Sequence, residues 1–479
     1  MTHTFVLNQI VFFLKKHLLL FLLTLAIVSC NNKENTIGGD TWLGGEIVNP
    51  KSDYVIITRN NNVLDTIKLD ENNYFSYQIE NPEKGIYFFN HNEYQAVYIE
   101  PGDSILLRVN TIEFDESLSY SGKGSDRNNL LMNFYLLNEQ EAPLLARYNQ
   151  LPPEAFEIKM DSLKNEWESI YEAFLERSNP SKTFKKVAKS NIDYTFNMRK
   201  ELYTSAHANN SSYKKEDFPK DFYDYREEVN FGDELLRTYY PYYRFLNFYL
   251  DNVAHSKRND KGTFNRLSFA HNYAKINAID SIITNDSLKN DLLKYNVRRY
   301  LLNAKNAKEE QKIVTLFNEV STNESHKRRL GKLAEATMQL TSDNKIPNMP
   351  LITTDNTVVD LLSTINKKSV IYFWSMKSVQ HYKSIHIKVA ELKSKYPEYN
   401  YIGINTDTHF KKWLNIVKRL NYNLNNEYQF DNIEIAEKKL VLTSVNKALI
   451  VDKDGVILEG NTNLLNPEIE QQLLGYINK

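Results

Sequence analysis

The chain has 479 residues, 42% hydrophobic and 25% charged, with a formal net charge of −1. At roughly 150 residues per domain this length implies about three domains, and so even a charge balance excludes a whole-protein field that would draw nucleic acid. The only cysteine is Cys30, which removes disulfides, cysteine-ligated zinc and a thiolate nucleophile from all that follows it.

Residues 1–29 read as a leader. Lys15, Lys16 and His17 form a basic flank, and Leu18 to Val28 is an apolar run that ends in Ser29-Cys30. The run is too short to cross a bilayer, which takes about 20 apolar residues, but it suits a signal-peptide core. Joining it to the apolar stretch Phe5–Phe13 would give a plain membrane anchor, at the cost of burying Lys15 and Lys16. Ile27-Val28-Ser29-Cys30 resembles a bacterial lipobox. That resemblance implies cleavage before Cys30, lipidation of its sulfur and stable membrane attachment, with residues 30–40 as a tether. The expected location is the cell envelope, at the outer membrane facing the periplasm or the cell surface.

Residues 41–122 carry short β-prone runs separated by polar turns. They are Tyr54–Thr58, Val63–Leu69, Tyr74–Tyr77, Ile86–Phe89, Ala96–Ile99 and Ile105–Leu107. This spacing predicts a small antiparallel β-sandwich. The phrases Val97–Ser104, with Glu100-Pro101-Gly102-Asp103, and Ser121–Ser125 followed by Asn128-Asn129, resemble Bacteroidetes lipoproteins. In those, a domain of unknown function precedes a thioredoxin-like domain. Gly122-Lys123-Gly124-Ser125 has the wrong glycine spacing for a phosphate loop and reads as a turn into a helix.

Residues 123–340 read mainly as helix. Phe156, Met160, Leu163, Trp167, Ile170 and Phe174 fall on one helical face, started by Pro152-Pro153 and stopped before Pro180. The aromatic run Tyr239–Tyr249 admits a stacking platform for a sugar, but aromatic residues at helical spacing read first as core.

Residues 341–479 alternate strand and helix. The order is a buried-type strand Ser369–Trp374, a helix from Val379 to Tyr396, a strand around Ile402, a helix from His409 to Leu420, a hairpin around Asp452–Gly455 and a closing helix. Phe373-Trp374, Tyr401–Asp407 with Trp413, and Leu449–Gly455 resemble the TlpA/ResA branch of the thioredoxin superfamily. The resemblance implies a thioredoxin-like fold, so the whole chain is expected to be an α+β multidomain protein. It also locates two departures. Ser378-Val379-Gln380-His381 stands where the family has CxxC, and Asn446 stands where it has a cis-proline.

Thiol exchange needs one thiolate to attack and a second thiol to resolve, so neither that reaction nor peroxiredoxin chemistry is open to Ser378 and His381. No motif requires a metal or a cofactor. The expectation is a non-catalytic protein that binds or scaffolds protein or peptide partners, with Trp374, Ser378, His381 and Asn446 lining a groove. Two alternatives are a non-redox enzyme built on Ser378 and His381, and an accessory lipoprotein of an outer-membrane transporter.

Overall fold

The computed structural model describes residues 40–209, 217–258 and 262–477. The leader, Cys30 and the tether up to residue 39 lie outside the described residues. The chain divides into two compact units, Met1–Pro143 with Ser169–Lys189, and Leu144–Glu168 with Ser190–Lys479. The helical stretch 123–340, expected as a domain of its own, is therefore shared between the two.

In the first unit, eight strands form two four-stranded sheets. The strands are β1 (Thr41–Val48), β2 (Tyr54–Arg59), β3 (Asn62–Lys68), β4 (Tyr74–Ile79), β5 (Gly85–His91), β6 (Glu93–Ile99), β7 (Ser104–Asn110) and β8 (Ser119–Lys123). Sheet orders are β4-β1-β7-β8 and β3-β2-β5-β6. Inward residues of the two sheets meet in one core, with Leu43, Ile47, Val55, Ile57, Phe89, Val97, Ile105 and Leu107 among its members. Every pairing is antiparallel except β1 with β7, which run parallel.

After β8 the chain turns into helix α1 (Ser125–Tyr148), which packs Met132, Tyr135 and Leu136 on this core. The turn uses Gly122 and Gly124 at positive φ. A Cβ on Gly124 would lie 2.7 Å from both Arg127 Nη2 and the Asp103 carboxyl carbon, so only glycine lets those two charges meet.

Asn128 and Asn129 then do the same thing at two edges. The Asn128 amide accepts from Tyr98 N–H and donates to Tyr98 O, at 2.7 and 2.9 Å. The Asn129 amide does so at Tyr120, at 3.1 and 2.9 Å. Each side chain imitates one residue of an added strand, closing an edge of each sheet that would otherwise expose unpaired backbone groups.

Two long helices follow, α2 (Pro153–Arg177) and α3 (Lys182–His207), then α4 (Tyr240–Ser256), α5 (Phe269–Ile282), α6 (Asp286–Leu301), α7 (Ala307–Val320) and α8 (Glu324–Gln339). The helices α5 to α8 start on side-chain caps from Ser268, Asn285, Asn306 and Asn323, which satisfy first-turn amides. The aromatic run is core: Tyr239, Tyr242, Phe245 and Leu246 are buried, and Tyr240 alone among them is well exposed.

The C-terminal sheet has order β10-β9-β13-β12-β11-β14-β15. Its strands are β9 (Pro350–Ile352), β10 (Val358–Asp360), β11 (Ser369–Trp374), β12 (Asn400–Asn405), β13 (Glu427–Phe430), β14 (Ala448–Val451) and β15 (Ile457–Thr462). β11 pairs parallel with β12 and antiparallel with β14. All six of its residues are buried, as a central strand covered on both faces requires. Ile371 and Phe373 enter the core on one face, with helix α9 (Ile433–Lys439). Val370, Tyr372 and Trp374 enter the other, with α10 (Val379–Lys395), α11 (Phe410–Arg419) and α12 (Ile469–Ile477). This is the strand and helix order expected of a thioredoxin-like domain.

Candidate functional site at the start of α10

The site grows from the last residues of β11. Alternation turns Tyr372 and Trp374 to the α10 side, where both find one buried carboxylate. Tyr372 Oη–H donates to Glu427 Oε1 at 2.8 Å, and Trp374 Nε1–H donates to Glu427 Oε2 at 2.9 Å. His386, from α10, lies with Nε2 3.2 Å from Glu427 Oε1 and Nδ1 2.7 Å from Tyr382 O. Both ring nitrogens thus face acceptors. Its plane stacks on Tyr422 at 3.6 Å and 4°. Burial, followed by the Glu427 charge, raises the Tyr372 hydroxyl well above its ordinary range and pushes that of Tyr422 up to about 12, so both phenols stay protonated.

Beyond Trp374 a second network fixes the loop. Asp407 accepts from Ser375 Oγ at 2.9 Å, Met376 N–H at 2.6 Å and Asn405 Nδ2 at 3.1 Å. Gln429 Nε2 donates to Asn405 Oδ1 at 3.0 Å. The path of the chain into α10 is therefore set by a carboxylate from the end of β12.

Ser378 occupies the N-cap of α10, yet its hydroxyl makes no capping bond. One turn on, both ring nitrogens of His381 are buried and lack a hydrogen-bond partner. Burial, then the nearby His386, lowers the His381 pKa and favours the neutral ring. Since neither nitrogen is bonded, His381 does not hold the Ser378 hydroxyl. An activated serine needs that contact, so the observation that would favour a Ser378/His381 enzyme is missing. A metal held by His381 and His386 fares no better, because both His386 nitrogens are already engaged. Among the described residues no three His, Cys, Asp or Glu side chains converge on a possible metal position.

The remaining expected residues separate. Asn446 is exposed in the turn before β14, its N–H donating to Ser444 Oγ at 3.1 Å. Trp374 is 0% exposed. It therefore cannot line a groove, a correction to the expectation above: an indole with its N–H tied to Glu427 supports the site from within.

A groove of about 580 Å³ is lined by apolar Met376 and Ile416, by Asp407, and by Lys377, His409, Lys412 and Arg419. Lys377, Lys412 and Arg419 are exposed and enter no ion pair among the described residues. Sequence reading missed Glu427, Asp407 and this basic rim. The pattern Phe410-Lys411-Lys412-Trp413…Lys418-Arg419 was the available signal for the rim. Nothing in the sequence ties Glu427 to Trp374.

No family model matches the chain, and no curated protein matches it. Solved structures do. A thioredoxin-like protein from Bacteroides caccae matches at 15% identity over 58% of this chain and 94% of its own, with a TM-score of 0.37. The thioredoxin domain of a thiol-disulfide oxidoreductase from Bacteroides vulgatus matches at 15% identity over 29% and 96%, with a TM-score of 0.24. A thiol:disulfide interchange protein from a Bacteroides species matches at 15% identity over 29% and 93%, with a TM-score of 0.25. From its own strand order and its cysteine content, the C-terminal part of this chain is a thioredoxin-like domain without the CxxC pair.

Proposed function

We propose that the chain is a non-catalytic binding protein of the cell envelope, anchored through a lipid on Cys30, whose thioredoxin-like domain holds acidic peptide segments. The observation that carries this reading is the groove beside the loop into α10, lined by apolar Met376 and Ile416 and by Lys377, Lys412 and Arg419, which enter no ion pair among the described residues. An extended segment with one apolar side chain flanked by Asp or Glu complements it in shape and sign. The cations are exposed and solvated, so their contribution is steering and selectivity more than raw affinity.

Fluorescence anisotropy with labelled peptides tests it. An acidic peptide with a central Leu is expected to bind, with affinity falling as salt rises. The double variant Lys412→Glu, Arg419→Glu is expected to weaken it at least tenfold. Equal binding of a Lys-rich peptide, or an unaffected variant, would refute the groove. Insulin reduction is expected to be absent, since no sulfur is available at residues 378 and 381. For the anchor, Cys30→Ala is expected to abolish incorporation of radiolabelled palmitate; persistent labelling would remove the lipid from the proposal.

A further inference from the structure

Two buried carboxylates of the helical region are served very differently. Glu201 on α3 meets one cation: Arg226 grips it with Nε and Nη2 at 2.8 and 2.7 Å. Tyr225 Oη and Asn252 Nδ2 complete its shell at 2.9 and 2.6 Å, and the charge closes one to one. Asp251 on α4 meets three cations. Lys275 Nζ is 2.7 Å away, Arg266 Nε 2.9 Å and Arg299 Nη2 4.0 Å, with His271 Nε2 at 3.0 Å.

Lys275 and His271 are wholly buried. The side chains of Arg266 and Arg299 are 30% and 27% exposed, so the cluster reaches solvent through them. Arg266 is held flat, with its guanidinium 4.7 Å from the Phe248 ring and 5.2 Å from Phe264, and its Nη2 donating to Ser205 Oγ at 3.0 Å. Arg299 Nε and Nη2 are buried without a hydrogen-bond partner, and Arg266 Nε is not aligned with the carboxylate it approaches.

We propose that Arg266 and Arg299, above the Asp251–Lys275 pair, form a binding site for a small oxyanion group, a phosphate or a carboxylate.

Three cations on one carboxylate leave two positive charges without a counter-charge among the described residues in a partly buried place, which favours a counter-charge joining them. Burial lowers the pKa of Lys275 to about 8, and the Arg299 and Arg266 charges work against the support of Asp251. A cluster that served packing alone would close its charge as Glu201 does, and buried donors left unmade are rare in native folds. Two adjacent guanidiniums present planar forks that match an oxyanion's geometry. Held by ring contacts on one side and by α6 on the other, they are preorganised, which saves ordering entropy on binding. A cation is excluded by the sign of the site.

The test uses the full chain. Its melting temperature is measured in sodium phosphate, sodium acetate and sodium chloride at equal ionic strength. A rise over chloride is expected in at least one oxyanion, and which one identifies the group bound. Arg299→Gln is expected to raise the half-saturating concentration at least tenfold, and Arg299→Lys by less. Should Arg299→Gln fail to fold, phenylglyoxal labelling of the wild-type chain decides, read by mass spectrometry. Arg266 and Arg299 are expected to be protected together as the anion is added. Equal melting in all three salts, a rise that Arg299→Gln retains, or labelling indifferent to the anion would each overturn the site.

Discussion

The sandwich and the thioredoxin-like domain each carry a polar phrase that stands out in sequence, and they differ in how far the fold uses it up. In the sandwich, Arg127 Nη1 donates to Glu100 Oε2 at 2.5 Å and Nη2 spans both Asp103 oxygens at 2.6 and 2.7 Å. Glu100 Oε1 accepts from Tyr98 at 2.7 Å and also from Ser181. The Glu-Pro-Gly-Asp turn and the Asp-Arg-Asn-Asn helix start thus lock to one another. At the start of α10 the phrase is left open: among the described residues the Ser378 hydroxyl makes no capping bond, the His381 ring makes no hydrogen bond, and Lys377, Lys412 and Arg419 enter no ion pair. A phrase consumed by its own fold explains itself as structure. One left open is where a ligand or partner has something to add.

The sharpest way to break this contrast is to break the closed cluster. Arg127→Met leaves Glu100 and Asp103 buried without their cation. Burial already raises the Asp103 pKa against the pull of the Glu100 amide and Arg127. A loss of about 3–5 kcal/mol in urea unfolding is expected, and a loss below about 1 would mean that solvent, not Arg127, stabilises those carboxylates. Next comes Glu427→Gln, which keeps the shape but offers one acceptor where Tyr372, Trp374 and His386 need more. One buried donor is left unmade, costing about 1–3 kcal/mol. Tryptophan fluorescence is expected to shift with it, because Nε1 of Trp374 loses its carboxylate; an unchanged spectrum and unfolding midpoint would show that Glu427 is incidental.

Much of this was legible beforehand because it is written in local pattern. The six fully buried residues of β11 read as one apolar run, and the turn clusters of residues 41–122 marked out six of the eight sandwich strands. What stayed hidden depends on distant partners. β1 contains Gly44-Gly45, and β8 reads Ser-Tyr-Ser-Gly-Lys. The glycine pair interrupts the β-prone run of β1 and β8 has only Tyr120 as a strong strand former, so neighbours that supply the hydrogen bonds decide both strands. Trp374 looked like a groove residue because its position in the family phrase says nothing of a glutamate more than fifty residues later. The charges around Asp251 come from two other helices and a loop, and no spacing rule joins them.

Glu310 carries the comparison into the helical region with a smaller effect. It is fully buried on α7 and accepts from Thr337 Oγ1 at 2.6 Å through Oε2, while Oε1 has no partner. Burial pushes its pKa up to about 7. Because the folded value lies above that of a free carboxyl, the folded chain binds this proton more tightly. The stabilisation is full at low pH, falls as pH rises from about 4.5 toward 7, and is gone above that. Glu310→Gln mimics the protonated group at every pH. It is expected to lie close to wild type near pH 5 and to exceed it near pH 8 by more than about 1 and up to about 3 kcal/mol, measured by urea midpoints. A gap that does not change with pH would place the unmade charge elsewhere.

The smallest expected effect falls on the open region itself. Lys412→Glu and Arg419→Glu alter exposed side chains that form no ion pair among the described residues. Each is expected to change unfolding free energy by less than about 0.5 kcal/mol, while removing the salt-dependent part of acidic-peptide binding. α11 buries Trp413 and Val417 on its opposite face, so its place in the domain does not rely on these charges. A stability loss of 1 kcal/mol or more from either reversal would mean that the rim, like the Arg127 cluster, is already spent on the fold. The groove would then lose the feature that separates it from the sandwich.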